Sequence, residues 1–244
     1  MLFLILPYII QALLIVHVIK TGRNFLWIWV LILLPYGLGA IVYVGAEIIP
    51  DLLRGRTARR TARGFKRAMD PGADLRRYEN EAQVTGNVAS RQRYAEELVR
   101  HQRYGEAIAQ YRQALSGLFE HDPNLMLGLA QAQFAEGDAR GARTTLDELI
   151  ARNPDFRSPE GHLLYARALE AEGNVSKALE EYRTLAPAYP GAEASVRYAQ
   201  LLKAQGETAE AQRVVRELLE RARIAPGHYR RAQREWLDAA NKLL

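Results

Sequence analysis

The 244-residue sequence contains no cysteine. This absence excludes disulfide bonds and thiolate metal sites, and it is compatible with a reducing compartment. Histidine is also scarce, with five residues, and no pair of them has the spacing of a metal site. The sequence therefore predicts neither a metal nor any other cofactor.

The motifs of common enzyme classes are missing as well. The sequence has no nucleotide-binding loop of the type Gly-x4-Gly-Lys-Ser/Thr, and no serine lies in a nucleophile elbow. Carboxylate pairs such as Asp147-Glu148 and Glu180-Glu181 fall on predicted solvent faces of helices, where they are simply solvated. The sequence therefore predicts a protein that is not an enzyme.

Most of the chain lacks an excess of charge of one sign. The net charge is +5, residues 51–70 alone carry +5, and residues 71–244 carry −1. Nucleic-acid binding requires a basic face, so it is not predicted for residues 71–244. The basic strip is interpreted either as a topology signal or as a contact with anionic lipid, at about 1 kcal/mol per basic residue. Its members are Arg54, Arg56, Arg59, Arg60, Arg63, Lys66 and Arg67.

Two long runs, residues 1–19 and 25–46, contain no charged side chain. As helices they would extend roughly 28 and 33 Å at ~1.5 Å per residue, about the thickness of a hydrocarbon core. A secretory signal would carry basic residues before its apolar core, and a buried soluble hairpin would have a polar face. The runs therefore predict a transmembrane helical hairpin over residues 1–50. The basic strip places the following residues in the cytoplasm, which suggests an integral protein of a bacterial inner membrane.

Four copies of a short pattern organise the rest of the chain. Three copies begin at Gly137, Gly173 and Gly206, and a copy that begins at Gln102 lacks the glycine. The alanines that end the copies are spaced 35, 36 and 33 residues apart, and another alanine precedes each by 12 residues. Such a period predicts a stacked array of helix pairs. These alanines are Ala107, Ala142, Ala178 and Ala211, preceded by Ala95, Ala130, Ala166 and Ala199.

Local signals predict how each pair is built. The glycine ends the first helix because the left-handed conformation costs it little, and Asp138 and Asn174 are expected to cap the second helix. The second helix of the first pair is expected to continue through residues 116–119. Residues 228–244 predict one last helix, which Trp236 anchors as a cap on the array.

This pattern resembles the tetratricopeptide repeat family over roughly residues 91–223. The sequence departs from the family where the first copy lacks its glycine and where Met126, His162 and Ser195 replace the usual aromatic residue. The resemblance implies an all-α solenoid of about four helix pairs that binds a protein partner. The predicted domains are thus the hairpin at 1–50, a basic strip and connector at 51–90, and the repeats with their cap at 91–244.

The hairpin resembles a second family, the N-terminal membrane segment of the cardiolipin synthase and phospholipase D group. The resemblance covers residues 20–55 and rests on Trp27 and Trp29, the run that ends at Pro35, and Gly39 and Tyr43. The catalytic His-x-Lys motif of that group is absent. The resemblance implies at most a non-catalytic accessory of a phospholipid-synthesis enzyme.

The repeat pattern also predicts where a partner binds. The resemblance implies that the first helix of each pair lines a groove, so the side chains beside its buried stripe point into it. Phe134 and Arg167 are expected to be the anchors, since aromatic and arginine side chains dominate binding hot spots. The preferred function is a membrane-anchored scaffold that assists or regulates an envelope complex. The predicted groove residues are Gln92, Glu96, Leu127, Gln131, Phe134, Leu163, Arg167, Glu170, Gln200 and Lys203.

Overall fold

A computed structural model describes residues 12–20, 26–33, 42–44, 46, 70 and 72–244. The chain divides into two compact parts, residues 1–73 and 74–244. Every regular element among the described residues is helical. The all-α class that the repeat pattern predicts is therefore confirmed for this part of the chain.

In the N-terminal part, the described helical residues pack around a small apolar cluster. Residues 12–20 are helical, and helix α1 spans Leu26–Leu33. Val18, Leu31 and Tyr43 are buried together. The Tyr43 hydroxyl lies 3.1 Å from Nδ1 of His17, so the histidine takes part in this cluster.

The prediction of an integral membrane protein is contradicted by the helices that the structure describes. Crossing a hydrocarbon core of about 30 Å requires ~20 residues. Within the described residues, no helix is both long enough and apolar enough to span a membrane.

Several other predictions fall on residues outside the described ranges. These include the rest of both apolar runs and the whole basic strip from Arg54 to Arg67. A contact between this strip and anionic lipid has no support in the structure. Of the residues that carry the resemblance to the phospholipase D group, the structure describes Trp27, Trp29 and Tyr43.

The second part of the chain is an array of helices joined by short loops. A 3-10 turn, Gly117–Phe119, lies between α4 and α5. The helices are α2 Ala73–Thr85, α3 Val88–Arg100, α4 Tyr104–Ala114, α5 Pro123–Glu136, α6 Ala139–Arg152, α7 Pro159–Ala171, α8 Val175–Leu185, α9 Glu193–Ala204, α10 Thr208–Ile224, α11 Gly227–Ala232 and α12 Arg234–Asn241.

The array consists of four helix pairs, α3/α4, α5/α6, α7/α8 and α9/α10. Within each pair the helices pack on each other, and each second helix also packs on the first helix of the next pair. At one end, Leu75 and Ala82 of α2 join the core of the first pair. At the other end, α12 packs on α9 and α10. A single helix therefore covers each end, as a repeat array requires.

The small residues at the seams are buried as the repeat pattern predicts. All eight paired alanines are fully buried, with exposed fractions of 0%. The absence of side-chain bulk lets the two helices of each pair approach closely. Trp236 packs against the large cluster of the last two pairs, which confirms its predicted role as a cap anchor.

The predicted glycine ends are present at three of the four repeats. Gly137, Gly173 and Gly206 have φ values of 98°, 77° and 83°. The Asp138 side chain accepts a hydrogen bond from the amide of Gly141 at 2.8 Å and caps α6. Asn174 makes no side-chain cap hydrogen bond, so its predicted cap role is wrong.

Two predicted helix boundaries differ from the structure. Helix α4 ends at Ala114 instead of continuing through residues 116–119, and Gly117 has a φ of 57°. The last helix is divided in two at Gln233. The Gln233 side chain accepts a hydrogen bond from the amide of Ala192 at 2.9 Å, so it caps the start of α9.

The first repeat, which lacks the glycine, yields a testable prediction about stability. Gln102 occupies the equivalent position with a φ of 59°, and it is the one non-glycine with positive φ among the described residues. The left-handed conformation costs a side-chain residue about 1–2 kcal/mol, partly offset by the greater freedom of glycine in the unfolded chain. Gln102→Gly is expected to raise the free energy of unfolding by about 0.5–1 kcal/mol, measured by urea denaturation. Gly137→Gln, the reverse change, should lower it, and equal stabilities would contradict the prediction.

Candidate partner-binding site

The predicted groove residues lie on the first helices of the four pairs. Helix α3 contacts α5 and α5 contacts α7, so these helices form a continuous surface. We call this surface the first-helix face and define it by the predicted residues that remain accessible on it. These are Gln92, Glu96, Gln131, Phe134, Arg167, Glu170, Gln200 and Lys203.

A chain of contacts crosses the middle of this face. The guanidinium carbon of Arg167 lies 4.8 Å from the centre of the Phe134 ring. A nitrogen of Arg167 lies 3.7 Å from a carboxylate oxygen of Glu193 on α9. Nε of Arg197 donates to the same Glu193 oxygen at 2.7 Å, and the Arg197 guanidinium lies 5.3 Å from the Trp236 ring centre. Helices α5, α7, α9 and α12 are thus linked by three charged side chains with an aromatic ring at each end.

Arg167 lies at the centre of this chain of contacts and has N–H donors that are not hydrogen-bonded to any described residue. Its side chain makes no hydrogen bond to any described residue, and its Nε is buried without a partner. The ion pair with Glu193 is long, and a guanidinium carries five N–H donors. A buried donor without an acceptor costs free energy, so an acceptor supplied from outside the chain would be favourable here.

Two of the predicted residues, Glu170 and Lys203, instead make hydrogen bonds within the chain. The Tyr182 hydroxyl donates to Glu170 at 2.6 Å, and burial together with this bond raises the pKa of Tyr182. Nζ of Lys203 donates to the carbonyl of Leu243 at 3.3 Å and ties α9 to the end of the chain. These contacts indicate that Glu170 and Lys203 have structural roles.

The other predicted positions surround this centre. Gln92 donates to Glu96 at 3.1 Å, so these two side chains pair with each other. Gln131 and Gln200 are exposed. Leu163 is buried with an exposed fraction of 5%, and therefore belongs to the core instead of the surface. Leu127 lines a separate cavity beside α7.

Sequence reasoning missed Glu193 and Arg197. Both belong to the stripe of α9 that contains Gln200, since residues seven and three positions earlier return to the same helical face. Extending the stripe by two turns toward the start of α9 would have found them. Their contacts with Arg167 and Trp236 depend on the stacking of neighbouring repeats, which the spacing alone does not reveal.

In the part of the chain that the structure describes, no metal cluster accompanies this face. Among the described residues, no group of three or more histidine, aspartate or glutamate side chains is arranged to hold a metal ion. The tyrosines with perturbed pKa values in the array all have raised pKa values, and burial is the largest cause of each. Burial and the nearby charge of Glu96, for example, raise the pKa of Tyr111 to about 12.

Comparison with known proteins identifies the repeats. Residues 98–159 match the tetratricopeptide repeat family model. This match supports the predicted resemblance of the repeats to the tetratricopeptide repeat family. Proteins with this fold are typically non-catalytic scaffolds that mediate protein–protein interactions.

Solved structures share the fold at low sequence identity. MamA residues 41-end from Desulfovibrio magneticus RS-1 matches with a TM-score of 0.56 at 13% identity, covering 70% of this chain and 99% of that chain. TTC0263, a thermophilic TPR protein of Thermus thermophilus, matches with a TM-score of 0.53 at 16% identity, covering 69% and 89%. YrrB, a TPR protein with an unusual peptide-binding site, matches with a TM-score of 0.50 at 14% identity, covering 68% and 91%.

The comparisons give no support for the predicted N-terminal hairpin. No curated protein sequence matches the chain. The predicted resemblance to the cardiolipin synthase and phospholipase D group is therefore unsupported. The alternative role as an accessory of a phospholipid-synthesis enzyme depended on that resemblance alone.

Proposed function

We propose that this protein is a non-enzymatic scaffold that binds a segment of a partner protein on its first-helix face. The observation that carries the proposal is the position of Arg167, which stacks on Phe134 and has a buried, unpartnered Nε. Arginine and aromatic side chains dominate binding hot spots, and here the two types meet at the centre of the face.

The charges of this face favour a partner segment that carries both signs. Arg167 and Arg197 lie beside Glu193, and Lys203 is bound to a backbone carbonyl. The face therefore has no cluster of free cations among the described residues, which argues against a site specialised for a terminal carboxylate. A helix or extended segment with mixed charge and one apolar anchor fits this arrangement better.

The similarity to peptide-binding proteins of the same fold is consistent with this proposal. YrrB carries an unusual peptide-binding site and shares the arrangement of helices. At 14% identity this similarity concerns the fold alone, so the residues that bind must be argued from the present chain. The contacts of Phe134 and Arg167 provide that argument.

The proposal is tested by removing both anchors while keeping their apolar volume. Phe134 also packs against the buried cluster of Ala130 and Leu146, so leucine is the suitable replacement. Peptides are selected on the wild-type chain from a random displayed library, and their affinities are measured by calorimetry. Phe134→Leu with Arg167→Met is expected to weaken binding at least about tenfold, since each hot-spot truncation costs about 2 kcal/mol.

A matched control distinguishes this face from the rest of the surface. Phe119→Leu with Arg216→Met removes the same side-chain types from exposed positions on the 3-10 turn and α10. The control should bind the selected peptides as tightly as the wild type, and both variants should keep the wild-type melting temperature. Equal affinity of the anchor variant and the control would rule out the first-helix face as the binding site.

A further inference from the structure

A cavity of about 570 Å³ lies between the second and third repeats, bounded by α6, α7 and the end of α8. This volume lies within the range of roughly 300–1,000 Å³ that is usual for binding pockets. Its apolar wall includes Leu146, Leu149, Ile150 and Leu185. The Ile150 side chain is 56% exposed, so this apolar group of the cavity wall remains in contact with solvent.

This cavity is separate from the first-helix face. On α7 its wall contains Gly161 and Tyr165, whereas Arg167 and Glu170 belong to the first-helix face. At 3.6 residues per turn, Tyr165 is rotated by about 160° from Arg167 around the helix axis. The two surfaces therefore lie on opposite sides of α7.

The polar wall of the cavity carries two carboxylates. Asp147 is fully engaged, because it accepts from the Tyr165 hydroxyl at 2.8 Å and from Arg143 at 2.6 Å. One oxygen of Glu181 pairs with Nε2 of His162 at 2.7 Å. The other oxygen of Glu181 makes no hydrogen bond to any described residue and remains available.

The charges of these two carboxylates act on Tyr165. Burial, the hydrogen bond to Asp147 and the charges of Asp147 and Glu181 together raise the pKa of Tyr165 to about 12, with Arg143 opposing them. The basic side chains in the lining are Arg157 and His162. The Arg157 guanidinium donates to the backbone carbonyls of its own loop at residues 154 and 156, and His162 engages one oxygen of Glu181. Arg157 therefore does not neutralise Glu181.

We propose that this cavity binds a bulky apolar side chain of a partner protein that has a lysine or arginine next to it in sequence. The apolar side chain packs against the accessible Ile150 and Phe156, and the cation pairs with the available oxygen of Glu181. Charge complementarity selects this occupant over an acidic or neutral segment, because removing the second oxygen of Glu181 from water without a partner is costly. The site is a second docking point, independent of Phe134 and Arg167.

Four short peptides test the proposal on the full chain. They are acetylated and amidated Gly-Phe-Lys-Gly, its Gln and Glu versions at the lysine position, and Gly-Gly-Lys-Gly. Binding is followed by amide chemical shifts of residues 146–165 and 181–188. Gly-Phe-Lys-Gly should bind most tightly, by about threefold over the Gln version, which is the factor that a partly exposed ion pair supplies. The Glu version and the peptide without phenylalanine should bind more weakly still.

Two variants locate the site and separate it from the proposed function. Ala188→Phe fills the mouth of the cavity and should abolish the shifts, whereas Ala209→Phe, at an exposed alanine of α10, should not. Glu181→Gln should remove the preference for lysine over glutamine. The variant Phe134→Leu with Arg167→Met should bind the four peptides with the same affinities as the wild type. This result therefore does not depend on whether the first-helix face binds a partner.

Three results would overturn the proposal. Equal binding of the Lys, Gln and Glu peptides would exclude charge selection by Glu181. Binding of phenethylamine as tight as that of Gly-Phe-Lys-Gly would identify a small amine as the occupant. Self-association that Ala188→Phe abolishes, measured by sedimentation, would identify a second copy of this chain.

Discussion

Replacing Gly128 with leucine is expected to lower the free energy of unfolding by about 3 kcal/mol. Gly128 lies in the middle of α5, where a β-carbon would lie only 2.6 Å from two carbons of the Tyr111 ring. Tyr111 is itself buried, with an exposed fraction of 4%, so its ring has little space in which to move. Thermal and urea denaturation of the full chain measure the loss.

The neighbouring seam indicates which second change restores stability. By the repeat spacing, Tyr111 and Gly128 correspond to Leu146 and Leu164, which pack together in the next seam. The first seam therefore pairs the large ring of Tyr111 with a glycine, which has no side chain. The next seam pairs two leucine side chains of intermediate size. Tyr111→Leu alone leaves a void and destabilises the chain. In combination with Gly128→Leu it should recover much of the lost stability.

A double-mutant cycle measures this compensation. If the two side chains share one volume, the loss in the double variant is smaller than the sum of the single losses by more than about 1 kcal/mol. Strictly additive losses would show that Gly128 and Tyr111 do not compete for the same space. Thermal and urea denaturation must give the same order of stabilities for the variants, so that each free energy of unfolding refers to one cooperative transition.

Replacing Ala178 with leucine is expected to destabilise the array by about 1–3 kcal/mol. Ala178 begins the seam within the third pair, has an exposed fraction of 0%, and belongs to the largest buried cluster with Leu169 and Tyr182. A leucine there must push α7 and α8 apart or adopt a strained rotamer. Urea denaturation of the full chain gives the change in free energy.

The control for this prediction is the same change at an exposed alanine. Ala151 lies in the last turn of α6 and is exposed, so Ala151→Leu should change the free energy of unfolding by less than about 0.5 kcal/mol. Equal free energies of unfolding for Ala178→Leu and Ala151→Leu would show that close packing at the paired alanines does not hold the two helices together.

The candidate site was predictable only in part. The helical phase of the alanines places Phe134 and Arg167 on one face, and the structure brings them into contact at 4.8 Å. The sequence could not show that Glu193 approaches Arg167. A stripe of residues defines a direction on one helix, but it does not define the distance to the next helix. The cavity beside α7 was missed for the same reason, since α6, α7 and α8 all contribute to its wall.

The N-terminal prediction failed because hydropathy was judged over whole runs. An uninterrupted apolar run of 19 or 22 residues is typical of a membrane span only if it forms one continuous helix. Among the described residues of these runs, no helix is long and apolar enough to span a membrane, and the cluster around Tyr43 includes the polar contact with His17.

The sequence by itself determined the repeat period, the buried alanines and the glycine ends of the first helices. These follow from local chemistry, since a left-handed φ or a close helix approach restricts the residue type at one position. The tertiary structure decided which side chains meet across repeats, such as Arg167 with Glu193 and Tyr111 with Gly128. Such contacts join residues on different helices, and their distances depend on how the pairs stack.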